Sequence, residues 1–183
     1  MAKTIILPDG TEHPCFDLIM RKENAWDILD GKKGAEFRAM SPFYVKKFLV
    51  PKTSYQKTLD AFEVKDVNFI HFRDYNNSWY LDVYTPYVHF ATLHPKMQKY
   101  LHLFRAHDFD EEIERAEKEN VAFEDANVCF MMPITGIYGT NLTTPDKIKA
   151  TGGGYGETWA AKYYVDGSKE QEELRTVIEA IGS

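Results

Sequence analysis

The chain has 183 residues, with 22 Lys+Arg against 28 Asp+Glu, a formal net charge of −6, 44% hydrophobic and 27% charged residues. At that length residues 1–183 are expected to form one domain, burying roughly 70% of the surface an unfolded chain exposes. The composition excludes a disordered chain, a disulfide-rich mini-protein and a globally basic histone-like protein. No window approaches ~18 uncharged apolar residues, so no membrane helix is expected. The apolar run at 5–7 stops at Pro8-Asp9-Gly10, too short for a signal-peptide core. Cys15 and Cys129 are a lone pair without metal-type spacing, which suits a reducing cytoplasm better than a disulfide scaffold, and no cofactor is expected.

In chain order, residues 4–7 form a short strand and 16–20 a mostly buried one. Residues 24–30 read as a two-turn helix with Trp26, Ile28 and Leu29 for the core and Gly31 at its stop. Residues 34–40 alternate as a strand, and 42–47 fits either a short helix or irregular chain. The runs 64–75 and 79–90 are dense in aromatic and β-branched residues, and Asn76-Asn77-Ser78 between them predicts a hairpin. A helix led by Pro95 is expected over 95–106, with Met97, Tyr100, Leu101 and Phe104 on one side. A highly charged surface helix is expected over 110–120. Residues 127–138 resemble a buried strand interrupted at Pro133, and 159–165 another strand. A helix over 169–181 closes the chain, with Leu174, Val177, Ile178 and Ile181 at helical spacing. The mixture is α+β, built around a sheet or small barrel.

Charge is unevenly spread. Residues 31–58 hold seven Lys or Arg and one acidic residue, Glu36, whereas 108–125 hold nine acidic residues against two basic ones. One half attracts a polyanion and the other repels it. Within the basic half lies Gly31-x-Lys33-x-x-Glu36-x-Arg38. Alternation sends Ala35 and Phe37 to the core and puts Glu36 and Arg38 together on the opposite face. Lys33 stands at the turn that leads in. An Arg offers a planar fork for phosphate or a carbonyl edge. A neighbouring Lys is a point cation, or a base where desolvation lowers its pKa. A Glu between them stays ionised and holds both. The plain alternative is a solvated Glu–Arg pair on an exposed strand, with Lys33 merely ending a helix.

Residues 16–38 resemble the ASCH family of the PUA-like superfamily, whose signature is GxKxxExR after a short helix; all four positions match. The apolar strand–helix context ahead of them matches too, so the resemblance covers 23 of 183 residues. It implies an α+β, PUA-like (ASCH-type) small β-barrel with flanking helices and a cleft beside the motif strand. Such proteins commonly bind RNA or modified bases there. The expectation is therefore an RNA- or nucleotide-binding module, with Lys33 and Arg38 on phosphate or a base edge and Glu36 orienting them.

Some small ASCH-type enzymes hydrolyse the amide of N4-acetylcytidine with a Lys of this motif, a Thr nucleophile and a Glu. Here Glu36 stands where that Thr lies, and a carboxylate does not replace a hydroxyl as acyl acceptor. The alternative is thus a hydrolase of a modified nucleoside or of RNA, with Lys33 as base and Glu36 beside it. A third reading is a protein-interaction domain whose charged halves select its partners, of unknown identity. The net charge of −6 weighs against tight nonspecific RNA binding, which phosphate neutralisation drives.

Further candidates lie outside the motif. The hairpin offers Arg73 with His71, Trp79, Tyr80, Tyr84 and Tyr87, for base stacking worth about 1–3 kcal/mol each or for core packing. The glycine-rich stretch 151–158 fits neither G-x-G-x-x-G nor a P-loop. It reads as a mobile turn, or as backbone N–H groups wrapping an anion, with Tyr155 as a stacking side chain at a cleft rim. His94, His102 and His107 lack ligand spacing, and Ser41, Ser54 and Ser168 lack triad neighbours.

Overall fold

The computed structural model describes residues 3–39, 41–51, 62–86, 88–92, 128–152 and 154–182. Strand β1 (Thr4–Ile6) folds back antiparallel on β2 (Glu12–Ile19), and helix α1 (Lys22–Leu29) leads to β3 (Ala35–Ala39). Helix α2 (Pro42–Phe48) runs straight into β4 (Leu49–Pro51), which pairs with β5 (Phe62–Val64). Then come β6 (Phe69–Arg73), β7 (Tyr80–Tyr84), β8 (His89–Thr92), β9 (Val128–Pro133) and β10 (Gly136–Thr140). Short 3₁₀ turns at Pro145–Lys147 and Lys149–Thr151 precede β11 (Gly156–Glu157), a 3₁₀ helix (Trp159–Tyr164) and α3 (Lys169–Gly182).

Six strands form one sheet in the order β1-β2-β6-β7-β10-β11, antiparallel except for the parallel β2–β6 pair. A second sheet has the order β3-β9-β8. A bent ribbon links the two: β7 continues through Thr85 and Pro86 towards β8, and β9 passes through Ile134 and Thr135 into β10. Pro86 and Pro133 have no N–H for a ladder, so pairing breaks at this corner. Asn68 Nδ2 holds the corner by donating to the carbonyls of Thr85 (3.1 Å) and Pro86 (2.8 Å). Across the bend the Thr135 N–H donates to Tyr84 O at 3.0 Å. The large sheet is curled into a half-barrel.

Inside it, Phe16 and Leu18 of β2, Ile70 and Phe72 of β6, Leu81 and Val83 of β7 and Ile137 of β10 point one way, as alternation requires. Ala25, Ile28 and Leu29 of α1 cover them at i, i+3, i+4. Phe48, placed by the last turn of α2, sits between Phe16 and Phe130 at ring distances of 4.9 and 5.0 Å.

Several expectations are met. The closing helix spans Lys169–Gly182, the strand at Pro133 breaks into β9 and β10, and β6–β7 is the hairpin. Its loop is tied by Asp74, whose carboxylate accepts the N–H and hydroxyl of Ser78. Segment 42–47, which the sequence left open between helix and irregular chain, is helical because Ser41 Oγ accepts the Tyr44 N–H and Pro42 fills the first position.

Three expectations are corrected. Run 64–75 takes in the end of β5, which belongs to another sheet, as well as β6, and the corner divides run 79–90 between β7 and β8. Trp26 is 37% exposed, and Ala25 takes the core position instead. Residues 159–165 are not a strand but the 3₁₀ helix. Thr158, bonded to Thr135 O through its N–H (2.9 Å) and to Ile134 O through Oγ1 (2.6 Å), ends the extended chain there. Aromatic enrichment, Trp159 packing on Tyr163, imitates a strand signal without strand pairing. The helices expected over 95–106 and 110–120, the acidic run, Tyr87 and His94, His102 and His107 lie outside the described residues.

Candidate functional site

The motif begins where α1 ends. Gly31 takes a left-handed backbone (φ 76°), and the N–H groups of Lys32 and Lys33 both return to Asp27 O, at 2.8 and 3.1 Å. This tight reversal delivers Lys33 to the start of β3 with its side chain buried. The β3–β9 register sets Glu36 opposite Met132 and Arg38 opposite Phe130. Directly paired residues share a face, and Phe130 and Met132 belong to the central core. Glu36 and Arg38 therefore face that central cluster, which the sequence did not anticipate, while Ala35 and Phe37 are buried as expected but on the other face of the strand. On the other face, Phe37 is in register with Met131 and His89, and Tyr164 of the 3₁₀ helix lies 6.2 Å from His89 between ring centres. Ala35, Glu36 and Phe37 are all buried, so polarity alone does not reveal the inward face of this strand.

The three motif side chains converge. Glu36 Oε1 lies 3.7 Å from Lys33 Nζ, and Oε2 lies 3.7 Å from Arg38 Nη2. The Phe37 N–H donates to Oε1 at 2.9 Å. Arg38 donates through Nη1 to Tyr44 Oη and through Nη2 to Ile19 O, both at 2.8 Å. Side-chain exposure rises outward, from 2% at Lys33 and 4% at Glu36 to 15% at Arg38. A cavity of about 310 Å³ opens on the outer side of this row, lined by Met20, Arg21, Asn24, Glu36, Arg38 and Tyr44 among others. Lys33 is not part of that lining; it stands behind Glu36.

The edge of β2 explains why cations gather here. β1 pairs with β2 as far as Pro14, and the last bond across this edge runs from the Cys15 N–H to Lys3 O at 3.0 Å. Beyond it the carbonyls of Asp17 and Ile19, two residues apart, face the same open edge. Lys47 Nζ donates to Asp17 O and Arg38 to Ile19 O. Two cationic side chains thus occupy the place of a neighbouring strand and tie α2 and β3 to the large sheet. Burial holds the Lys47 ammonium below the usual lysine range, helped by the charges of Arg38, Arg73 and Lys65 and opposed by Asp17.

Arg73 and Tyr155 lie apart from the cavity lining. Register places Asp17, His71, Asp82 and Gly139 in one row across the outer face of the large sheet. Arg73 grips Asp17 there through Nε (2.8 Å) and Nη2 (3.1 Å), with Lys3 at 3.5 Å. Burial by itself would raise the Asp17 carboxyl, but the Arg73 bonds and the Lys3 charge hold it below the usual carboxylate range. His71 Nδ1 meets Asp82 Oδ1 at 2.5 Å, with the Tyr80 ring stacked on the imidazole at 5.7 Å. Burial, with the charge of Asp82 and the nearby Tyr155, raises the Tyr80 hydroxyl. Gly139 leaves room for this pair, since a Cβ there would stand 3.2 Å from Asp82 Oδ2.

Lys33, Glu36 and Arg38 thus meet as the sequence motif implies, and Arg73 and Tyr155 do not join them. Sequence reading missed Arg21, Asn24 and Tyr44. The signal was the junction of a buried strand and a helix start at 19–24, which brings polar side chains beside the motif strand. Among the described residues, no group of three His, Cys, Asp or Glu side chains is arranged for a metal ion, and no helix is long and apolar enough to cross a membrane. Compared with family models, curated proteins and solved structures, the chain has no match.

Proposed function

We propose that the chain is a PUA-like, ASCH-type module that binds RNA or a nucleotide by holding one nucleoside-sized group in the cleft beside β3. The observation that carries this reading is the convergence of Glu36 and Arg38, backed by Lys33, on one hollow of about 310 Å³. That volume is at the lower end of small-molecule sites, roughly 300–1,000 Å³. The lining supports a base rather than a bare anion. Glu36 only accepts hydrogen bonds, Arg38 and Arg21 only donate, and Asn24 does both. A nucleobase edge carries donors and acceptors side by side, whereas phosphate carries acceptors and negative charge that a carboxylate repels. Tyr44 and Met20 supply apolar surface for the ring face.

The geometry favours binding over hydrolysis. Lys33, the base in the hydrolase alternative, lies behind Glu36 and outside the lining, where it positions the carboxylate. Titration calorimetry with short single-stranded RNAs, nucleosides and nucleotides at low salt tests the reading. Binding is expected, weakened about tenfold or more by Glu36→Gln and by Arg38→Gln, a loss of roughly 1.4 kcal/mol. Failure of every such probe to bind would remove the proposal. RNA or acylated-cytidine turnover abolished by Lys33→Ala would replace it with the hydrolase.

A further inference from the structure

Positive charge does not end at the cleft. Lys47 sits one turn beyond Tyr44 on α2, and its ammonium is fixed on Asp17 O, two residues along the β2 edge from the Ile19 carbonyl that Arg38 holds. Two residues of strand set those anchor points roughly 7 Å apart. Arg73, on the outer face of the large sheet, holds the side-chain carboxylate of the same Asp17 whose carbonyl Lys47 holds, and Lys65, donating to Lys46 O at 3.0 Å, brings a fourth cation from the chain after β5. Asp17, which Arg73 and Lys3 already engage, and Asp74, whose charge also acts on Arg73, are carboxylates near these groups. A crowd of cations at a partly exposed edge attracts an anion. The cleft itself, with Glu36 on its wall, does not suit one.

We propose that a phosphate group binds beside the cleft, against Lys47, Arg73 and Lys65, so that the ligand is a phosphorylated nucleotide or nucleotide unit rather than a free nucleoside. This rests on the cleft holding a base, as proposed above. A base against Glu36 and Arg38 then reaches the rim across one ribose, and the phosphate oxygens meet cations whose present bonds go to the Asp17 carboxylate and to the carbonyls of Asp17, Asp74 and Lys46.

The test titrates the full chain with the four common ribonucleosides and with their 5′- and 3′-monophosphates. One monophosphate is expected to bind at least tenfold more tightly than its nucleoside, with the ratio shrinking as salt is raised. In Lys47→Met and Arg73→Gln the ratio falls towards one. Lys65→Gln, which leaves the Asp17 bonds intact, lowers it partially and guards against misfolding as the cause. A dinucleoside monophosphate without terminal phosphate distinguishes the source. If it equals the gain, the phosphate belongs to a strand; if only the mononucleotide gains, to a free nucleotide. Equal affinity of nucleoside and monophosphate would overturn the rim while leaving the cleft reading intact. Failure of nucleosides and nucleotides alike would overturn the cleft reading first and the rim with it.

Discussion

Lys33 and Glu36 are 2% and 4% exposed in their side chains and 3.7 Å apart. In that setting each charge depends on the other, because desolvation penalises whichever is left alone. Lys33→Met is expected to cost about 3–5 kcal/mol, the usual loss when one partner of a buried pair is removed. The double variant Lys33→Met with Glu36→Gln should lose clearly less than the two single losses added together, read from urea unfolding. Strict additivity would mean that the two heads do not interact.

His89 and Cys15 make stability depend on pH at the same scale. Burial lowers the His89 imidazole to about 4. Its unfolded counterpart takes up a proton near pH 6.5, at about the ordinary histidine value. Its contribution to stability is therefore complete above about pH 6.5 and lost as pH falls towards 4. The urea midpoint should drop over that interval, and His89→Leu should flatten the drop. The Cys15 thiol is pushed up to about 11, by burial first and by Asp82 second. Stability is full below about pH 9 and declines towards pH 11 on this account. Alkylation of Cys15 by iodoacetamide at pH 8 should accordingly be slow.

At the level of elements, the motif depends on a turn and a clamp. Gly31 at φ 76° has the backbone that side-chain-bearing residues avoid, so Gly31→Ala should cost about 1–2 kcal/mol. On the cleft reading proposed above, the same change should weaken nucleotide binding in calorimetry, because it shifts Lys33 and, through it, Glu36. Retained stability would show that the turn adapts. Arg38 serves two purposes: it closes the β2 edge at Ile19 O and faces the cleft. Arg38→Gln therefore tests binding, whereas Tyr44→Phe tests the clamp. Losing the Tyr44–Arg38 bond should cost about 1.5–3 kcal/mol, the range for a hydrogen bond to a charged group.

For the whole molecule, the interior of the half-barrel is the main source of stability. Phe72, fully buried between the strands and α1, is a direct probe of it. Phe72→Ala should remove about 3–5 kcal/mol and lower the melting temperature by roughly 10 °C in a chain of this size. A shift of only a degree or two would place the core elsewhere.

Element type was legible wherever local chemistry set it. Gly31 ends α1, Pro133 breaks a strand, and apolar spacing marks α3, whereas 42–47 stayed open between helix and irregular chain. The motif residues were legible because a turn and an alternating strand keep Lys33, Glu36 and Arg38 at one end of one element. Local rules did not tell which face of β3 turns inward. Alternation fixes only which residues share a face, and both faces of this strand are covered. The pairing of Glu36 with Met132 and Arg38 with Phe130 settled that, and a register is a contact between segments almost a hundred residues apart in sequence. The same holds for Arg73. Its type and strand position were plain, but its separation from the cleft follows from Asp17, on a strand 56 residues away.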